Sequence, residues 1–577
     1  MGFFDRFRLG VPAPQITAGV NEPPARGSVD TRWVAASRFM RSMRSWLPVI
    51  GSGKTDLNAA EQRTMRVRSR DAIRNHPVAR AAITRTRTNI VGTGLMCHPA
   101  IDFEVLGIDP IEAEEINKQA LTNFHRWASD PTECDAEATL SFYGLQGLSL
   151  VSAMSSGDCL ATTPMVTRPG GVTALKVQLV EADRVENPNN GPNNVALWDG
   201  VAIDPELGAP LGYWIRSNHP GDLIPGAELP TWTYFAAFGA ETGRRRVMHI
   251  WNDKERPGQV RGAPYLAPVL EPLKQLSRWS DNEMMRAVVS ALFTVFLKQA
   301  APPALDASGL PLPAFGGANP EIIPGSDPSS YAPPAKADDV SMGNGAVVSL
   351  MPGEEPVFAN PATPNQQFDP FFVACVKQIG AALELPVDEL LLSYQSSYSA
   401  ARAAMLQAWR FYTLRRDLLV EQFCQPIYGL WMDEEVASGR LSLPGYGDPI
   451  RRRAWSNAIW IGPARGSMDE FQEARAAKER INIGVSNEAI ETAQMTGESW
   501  DSVYAQRLRE INRRKADGTY TSGPPTETVR VSPVTDPSAT PKTPSDPGAA
   551  PPDGGDSAVG ESDGGGTDES DTGGKQP

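Results

Sequence analysis

The sequence predicts an α+β fold, in which long amphipathic helices flank a cluster of short antiparallel strands. Helical periodicity is the first observation: Val269, Leu273, Leu276, Ser280, Met284, Val288 and Ala291 recur at steps of three and four. The second is a series of short β-like runs between 159 and 250, divided by Pro169-Gly170-Gly171, Asn189-Asn190-Gly191 and Pro220-Gly221. The third is a change of texture at the end of the chain. Residues 518–577 hold ten acids, three bases and no Leu, Ile, Phe, Met or Trp. That stretch supplies −7 of the net charge of −14, which is 54 − 68 over the 577 residues. It cannot bury enough apolar surface to offset chain entropy, so 518–577 is expected to be a disordered acidic tail. The remaining body is mildly acidic and long enough for several structural units.

The elements follow in order. Residues 1–60 form a basic, irregular N-terminal arm with proline clusters at Pro12–Pro14 and Pro23–Pro24. Residues 61–90 read as helix broken by Pro77, with a stripe of Arg63, Arg66, Arg68, Arg70, Arg74, Arg80, Arg85 and Arg87. The stripe fits either a solvated face pairing with acids or a nucleic-acid or partner contact. Helices are expected at Glu112–Trp127 and at Leu140–Met154, the latter ended by Gly157-Asp158. Strands are expected at Cys159–Val166, Ala174–Leu179, Val201–Ile203, Leu211–Ile215, Thr231–Phe235 and Val247–Ile250.

Gly262–Lys298 reads as one helical block, and 300–340 as Pro-rich loop. Gly345–Leu350 and Glu355–Ala359 read as short strands. Asp369-Pro370 is expected to open a helix, with Asp369 as its cap, running through Leu383 until Pro386 stops it. The polar break Ser393–Ser399 precedes a long helix over 400–425, kinked by Pro426. Two further helices are expected, at Met468–Ile481 and Ser486–Arg514.

Several function classes are disfavoured. Cys97, Cys134, Cys159, Cys375 and Cys424 are scattered and never spaced as C-x-x-C, which argues against a disulfide scaffold or structural zinc. The His residues show no metal-binding pairing, and each reads as a surface or packing residue. No signal peptide opens the chain, and the apolar run Ala287–Leu297 is about half a membrane span. A soluble protein of a reducing compartment is expected. Gly51-Ser52-Gly53-Lys54-Thr55 ends like a phosphate-binding loop, but Pro48 stands where the first Gly is required, so it reads as a flexible polar linker. Gly92-Thr93-Gly94 is an incomplete dinucleotide fingerprint, and Glu114-Glu115 and Glu434-Glu435 read as solvated helix faces. No catalytic constellation stands out, and no cofactor or metal is expected.

A series of strings in order is more specific. Arg68-Ser-Arg-Asp71-Ala-Ile-Arg-Asn75-His-Pro77 leads to Asn89-Ile-Val-Gly92-Thr-Gly94. Then come Trp127 with Cys134-Asp135, Gln178-Leu-Val-Glu181-Ala-Asp183-Arg184, His249-Ile-Trp, and Arg256-Pro-Gly-Gln-Val-Arg261-Gly262-Ala-Pro264. Gly345–Gly353, Asn365-Gln-Gln-Phe-Asp369-Pro370, Ile379–Pro386, Tyr398-Ser-Ala-Ala-Arg402-Ala-Ala and Trp460–Gly466 complete the series. From about residue 60 to 510 this resembles the lambda-type tailed-phage portal family.

The resemblance implies a homododecameric ring at one capsid vertex of the virion, made in the host cytoplasm, through which double-stranded DNA passes non-specifically in packaging and ejection. It implies partners in the terminase large subunit, the major capsid protein or scaffold, and head-completion or connector proteins, with no membrane contact. It also implies a non-enzymatic role, the motor being terminase. The portal-like protomer would comprise the 1–60 arm, an α+β wing at 61–261, a stem-type helix at 262–298 and a small β-containing clip at 299–367. A second stem-type helix with the channel loop would occupy 368–398, and the long helix with a helical crown 399–517. Ser393, Tyr394, Gln395, Ser396, Ser397 and Tyr398 form the candidate channel loop, and an ordinary outer helix–helix connection remains the alternative there. The rival functions are another head structural or connector protein and, disfavoured by Pro48, a nucleotide-driven packaging enzyme.

Overall fold

The computed structural model describes residues 45, 50–222, 229–292, 296–299, 354–357, 367–394, 397–466 and 469–520. Helix α1 spans Ala59–Asn75, its first turn closed by the Asn58 side chain, which accepts from the Glu61 N–H at 2.9 Å. Pro77 forces His76 into extended backbone and then occupies the first turn of α2, Pro77–Ile90. The expected break is therefore where the sequence placed it. Strand β1 is Met96–Pro99, and the short helix α3 is Phe103–Leu106. Asp109 caps α4, Pro110–Ser129, and α5 follows at Pro131–Cys134. Ser141 caps α6, Phe142–Ser156, which ends at Gly157 with φ +96°.

The strands come next: β2 Asp158–Thr162, β3 Gln178–Val180, β4 Leu197–Trp198, β5 Val201–Ile203, β6 Pro210–Arg216, β7 Trp232–Ala236 and β8 Val247–Trp251. All pair antiparallel, in one sheet ordered β3-β2-β8 and another ordered β4-β5-β6-β7.

The helical block expected over 262–298 is shorter in the structure. Helix α7 covers Leu270–Leu292, and Phe296–Gln299 is strand β9, paired antiparallel with β10, Glu354–Val357. Helix α8 is Phe368–Ala382 and begins before the expected Asp369-Pro370 start: Gln367 holds the cap position, and Asp369 sits inside the first turn. Near the helix start that carboxylate still faces the positive end of the helix dipole. A short helix α9, Val387–Leu391, then occupies part of the expected loop.

Helix α10 is Tyr398–Leu419, and α11 is Gln425–Ala437. Between them, Val420–Cys424 form a π-turn in place of the expected kink. Pro426 has no N–H for the carbonyl four residues back, and the wider turn absorbs that defect. Helix α12, Pro449–Trp455, and strand β11, Ala458–Ile461, were not foreseen. Helix α13 is Glu470–Asn482; the expected 486–514 helix divides into α14, Glu488–Thr496, and α15, Trp500–Ala516. Gly497, with φ +74°, makes that division.

Residues through Arg507 form one compact unit, and 508–520 are the described part of a second. Within the first, one hydrophobic core runs from Ile73 to Trp455 and disregards the domain boundaries expected from the sequence. Its centre is aromatic: Phe124 meets Tyr428 at 5.2 Å and Trp431 at 5.1 Å, both edge to face. Strand β11 pairs with β1 and joins that core to the C-terminal region. A smaller core lies under the β4–β7 sheet, around Val201, Ile203, Tyr213 and Ile215.

Two expectations about surfaces are corrected. Glu435 is buried, paired with Arg440 at 2.7 Å, and Glu434 accepts the Ala174 and Leu175 N–H groups, so this acid pair is no solvated face. The 51–56 segment packs on the 256–259 loop: Arg256 pairs with Asp56, and a Cβ on Gly53 would lie 2.3 Å from the Pro257 carbonyl oxygen. It is a fixed turn followed by α1 three residues later. The 300–340 loop, the Gly345–Leu350 strand, nearly all of the 1–49 arm and the tail beyond 520 lie outside the described residues.

Candidate functional site

Helix α6 ends at Gly157, which places Asp158 fully buried at the head of β2. Three of the family-type positions converge there. Arg261 donates to Asp158 from Nε at 2.7 Å and from Nη2 at 3.0 Å. The Gly262 N–H donates at 3.0 Å, and His249 Nε2 lies 3.3 Å away. From α1, Arg66 Nη2 adds a contact at 3.2 Å. Arg261 uses its remaining N–H groups on the Val185, Asp199 and Ala182 carbonyls and on the Asp199 carboxylate. Arg70 pairs with Asp183, so three guanidiniums meet three carboxylates.

Gly262 is required by contact: a Cβ there would lie 2.0 Å from the Gly157 carbonyl oxygen. The site joins α1, β2, β8 and the 256–262 loop in one ionic joint.

The electrostatics follow from burial and neighbours. Burial alone would raise the Asp158 carboxyl, but the Arg261 charge, the His249 and Arg261 hydrogen bonds and the Arg66 charge hold it well below the usual range. Burial and the facing Arg261 charge lower Arg66 to about 10, so it stays charged at neutral pH. Burial lowers Arg261 too, but Asp158 and Asp199 outweigh it and the net shift is upward. Burial depresses His249 more than Asp158 raises it, so its imidazole is neutral at pH 7. The buried donors and acceptors of this set are turned on one another, and together they anchor α1, β2, β8 and the 256–262 loop.

Apart from the half-buried Arg85, the Arg stripe divides in two. Arg63 pairs with Glu186, Arg66 with Asp158 and Arg70 with Asp183, which is the acid-pairing reading. Arg68, Arg74, Arg80 and Arg87 are exposed.

The end of α2 anchors α9, which directly precedes the candidate loop, and the last turn of α10. Asn89 Nδ2 donates to Glu389 of α9 at 2.5 Å. Arg416, in the last turn of α10, donates to the Asn89 and Ile90 carbonyls at 3.0 and 3.1 Å. Leu392, directly after α9, adopts a left-handed φ of +52°. Tyr394 and Tyr398 are 60% and 52% exposed. Ser397 belongs to the cap of α10, its Oγ accepting from the Ala400 N–H, and Tyr398 is the first residue of that helix, so neither is free loop as expected. Ser393 is half-buried, and Gln395 and Ser396 lie outside the described residues.

The remaining family-type positions lie elsewhere in the fold. Asn75 ends α1 and bonds Asp71 at 2.6 Å. Gly92 and Gly94 both have positive φ, and a Cβ on them would meet Pro463 and Tyr143 at 2.6 and 2.5 Å. Pro386 opens α9; Asp369 and Pro370 are exposed in the first turn of α8, and Arg402 is exposed on α10. Sequence reasoning missed Asp158, Glu389 and Arg416. A charge opening the otherwise apolar run Cys159-Leu160-Ala161 was the available signal for the first.

The model of the phage portal protein, lambda family, matches residues 39–416, which include the joint, the candidate loop and most of α10. The chain belongs to the lambda family of phage portal proteins. Portal protein B of Escherichia phage lambda is 26% identical over 494 residues, covering 84% of this chain and 89% of that protein. The portal protein of Escherichia phage N15 is 25% identical over 491 residues, covering 83% and 89%. Among solved structures, the neck of a native GTA particle computed with C12 symmetry aligns at a TM-score of 0.39 and 12% identity, over 77% of this portal chain and 95% of the other. No helix among the described residues is long and apolar enough to cross a membrane.

Proposed function

We propose that this chain assembles into a dodecameric ring at one capsid vertex, forming the channel through which duplex DNA is packaged and ejected. In this reading the ring receives the terminase large subunit, which supplies the ATP-driven motor, and later head-completion proteins. Its outer surface meets the capsid shell or scaffold. The observation that carries the reading is the family match across 39–416, which contains both the ionic joint and the candidate loop.

Two physical features support it. Met284, Met285 and Val288 on α7 and Phe371 on α8 are more than half exposed, an apolar surface that a neighbouring copy would cover. Where it is described, the candidate loop is uncharged. A channel that passes DNA must neutralise few phosphates, because each neutralised phosphate releases counterions and adds a hold on the duplex.

The test has two arms. Native mass spectrometry of the full chain should give a closed ring of twelve copies; a monomer at micromolar concentration contradicts the proposal. Ser396→Arg should leave the ring intact and reduce packaged DNA per particle with purified terminase, since up to about twelve cations then crowd one level of the channel. Full packaging by assembled Ser396→Arg rings would put this loop on the outer surface instead.

A further inference from the structure

Helix α7 turns two unlike sides to its surroundings. Trp279 stacks on Phe368 of α8 at 4.6 Å, so that side is built into its own chain. On the opposite side, at 100° per residue, Lys274, Asp281, Met284, Met285 and Val288 share an arc of roughly 100°, and all are exposed. Helix α10 has the same character. Its Ala401, Ala408 and Tyr412 are buried in the core, while Ala403, Leu406, Arg410, Leu414 and Asp417 share an exposed arc of roughly 80° on the other side. We propose that the bare side of α10 of one copy packs antiparallel on the bare side of α7 of the next copy. This inference rests on the ring proposed above and names the surfaces that close it.

Exposure is the first support. A helix that faces water carries polar residues on its outer side. Here Met284, Met285 and Val288 are 61%, 62% and 53% exposed, and Leu406 and Leu414 are 41% and 59% exposed. Both sides are bare in the same structure, so the chain does not cover one with the other. A second copy is the cover.

Register is the second support. Lys274 to Val288 and Ala403 to Asp417 are steps of fourteen residues each, about 21 Å of helix. Laid antiparallel with Arg410 opposite Asp281, the helices bring Asp417 opposite Lys274. Leu406 then meets Met285, and Ala403 meets Val288. Leu414 stands over Ser277, on the lip of a groove between α1 and α7 that Leu270 and Leu273 also line. A parallel arrangement with the same central pair would set Asp417 against Val288 and Lys274 against Ala403, so charge and apolar character select the antiparallel one. None of the four charged side chains has an ion pair among the described residues. The α7 side and the α10 side are different surfaces, so every copy offers one of each and the contact passes from copy to copy, as a closed ring requires.

The experiment reverses charges on the full-length chain without altering its net charge. One variant carries Lys274→Glu with Asp281→Arg, the other Arg410→Asp with Asp417→Lys, and all four positions are exposed. Native mass spectrometry at micromolar concentration reads the copies per particle. Each variant alone sets like charges against one another at both levels, and its ring yield should fall by about tenfold or more. A chain with all four changes should recover the ring. A one-to-one mixture of the two variants, one of them labelled with nitrogen-15, should also recover it, with equal numbers of light and heavy chains, because each variant finds its complement only in the other. Wild-type ring yield from either variant alone would overturn this pairing while leaving the ring reading intact, and so would failure of the four-change chain or of the mixture to recover. A native chain that itself stays monomeric would overturn both.

Discussion

Replacing Asp158 with Asn tests the joint most directly. The two side chains have nearly the same shape, so the change removes a charge and turns one acceptor oxygen into a donor. Asp158 accepts from Arg261 at 2.7 and 3.0 Å, Arg66 at 3.2 Å, Gly262 at 3.0 Å and His249 at 3.3 Å. After substitution Arg66 and Arg261 keep their charge in a dry site, with Asp183 3.8 Å from the first and Asp199 3.3 Å from the second. Breaking a buried pair in this way costs about 3–5 kcal/mol, which is roughly a hundred- to several-thousandfold in a local opening equilibrium. A chain of this size does not unfold in one step, so the assay should be local. Amide exchange in Cys159–Thr162 and Val247–Trp251 should lose about two to three decades of protection. Adding Arg66→Met should restore part of it by removing one uncompensated cation. A loss below about tenfold, or no recovery in the double variant, would refute the reading of Asp158 as the anchor.

Gly262→Ala should prevent folding of the strand region around β2 or expose β2 to exchange, because its Cβ would overlap the Gly157 carbonyl; soluble protein with wild-type exchange in β2 would contradict this. Acidification should weaken the fold in two windows, read by exchange at pH 7.5, 5.5 and 3.5. His249, His76 and His98 are held below the ordinary value by burial, so the unfolded chain takes up protons first and stability falls as pH drops below about 6.5. The Asp158 contribution is whole above about pH 4 and is lost only as pH falls further, through its depressed folded value. Truncation after Tyr520 should leave oligomeric size and the core's exchange unchanged, since 521–577 offers almost no apolar surface; insoluble protein would contradict this.

What was legible in the sequence was local. Pro77 acts on backbone groups within a few residues, as do the caps Asn58, Asp109 and Ser141 that the structure shows, and the helices they bound lie close to where the apolar pattern placed them. Misreadings came where distant chain supplies the partner. His249, Arg261 and Gly262 stood out as strings, but they meet at Asp158, 91 to 104 residues away. Strand β11 is four residues long, and its register with β1 pairs Met96 with Ile461. Glu434 resembles any helix-surface acid until the Ala174 and Leu175 N–H groups, 260 and 259 residues away, donate to it. The error at 486–514 was local too, since Gly497 takes a left-handed turn that the apolar period did not reveal.

The placement of the joint also bears on how a portal loop is held. A buried ion cluster is poor value as stabilisation, because desolvation offsets most of the attraction and an apolar core of equal volume serves as well. What the cluster adds is direction: five donors aimed at one carboxylate permit one arrangement of α1, β2, β8 and the 256–262 loop, whereas packed apolar faces tolerate small slides. Helix α2 continues from α1 across the His76–Pro77 turn, and its last residues hold α9, directly before the loop, through Asn89, and the last turn of α10 through the Asn89 and Ile90 carbonyls. In the proposed ring, a push on the loop from passing DNA would reach the wing through α2 and be resisted at Asp158. Side chains on the loop itself can then stay uncharged, because the support is charge-based and lies behind it. Loosening the joint with Asp158→Asn should therefore broaden the loop's motion without altering its chemistry, which Ser396→Arg does in reverse.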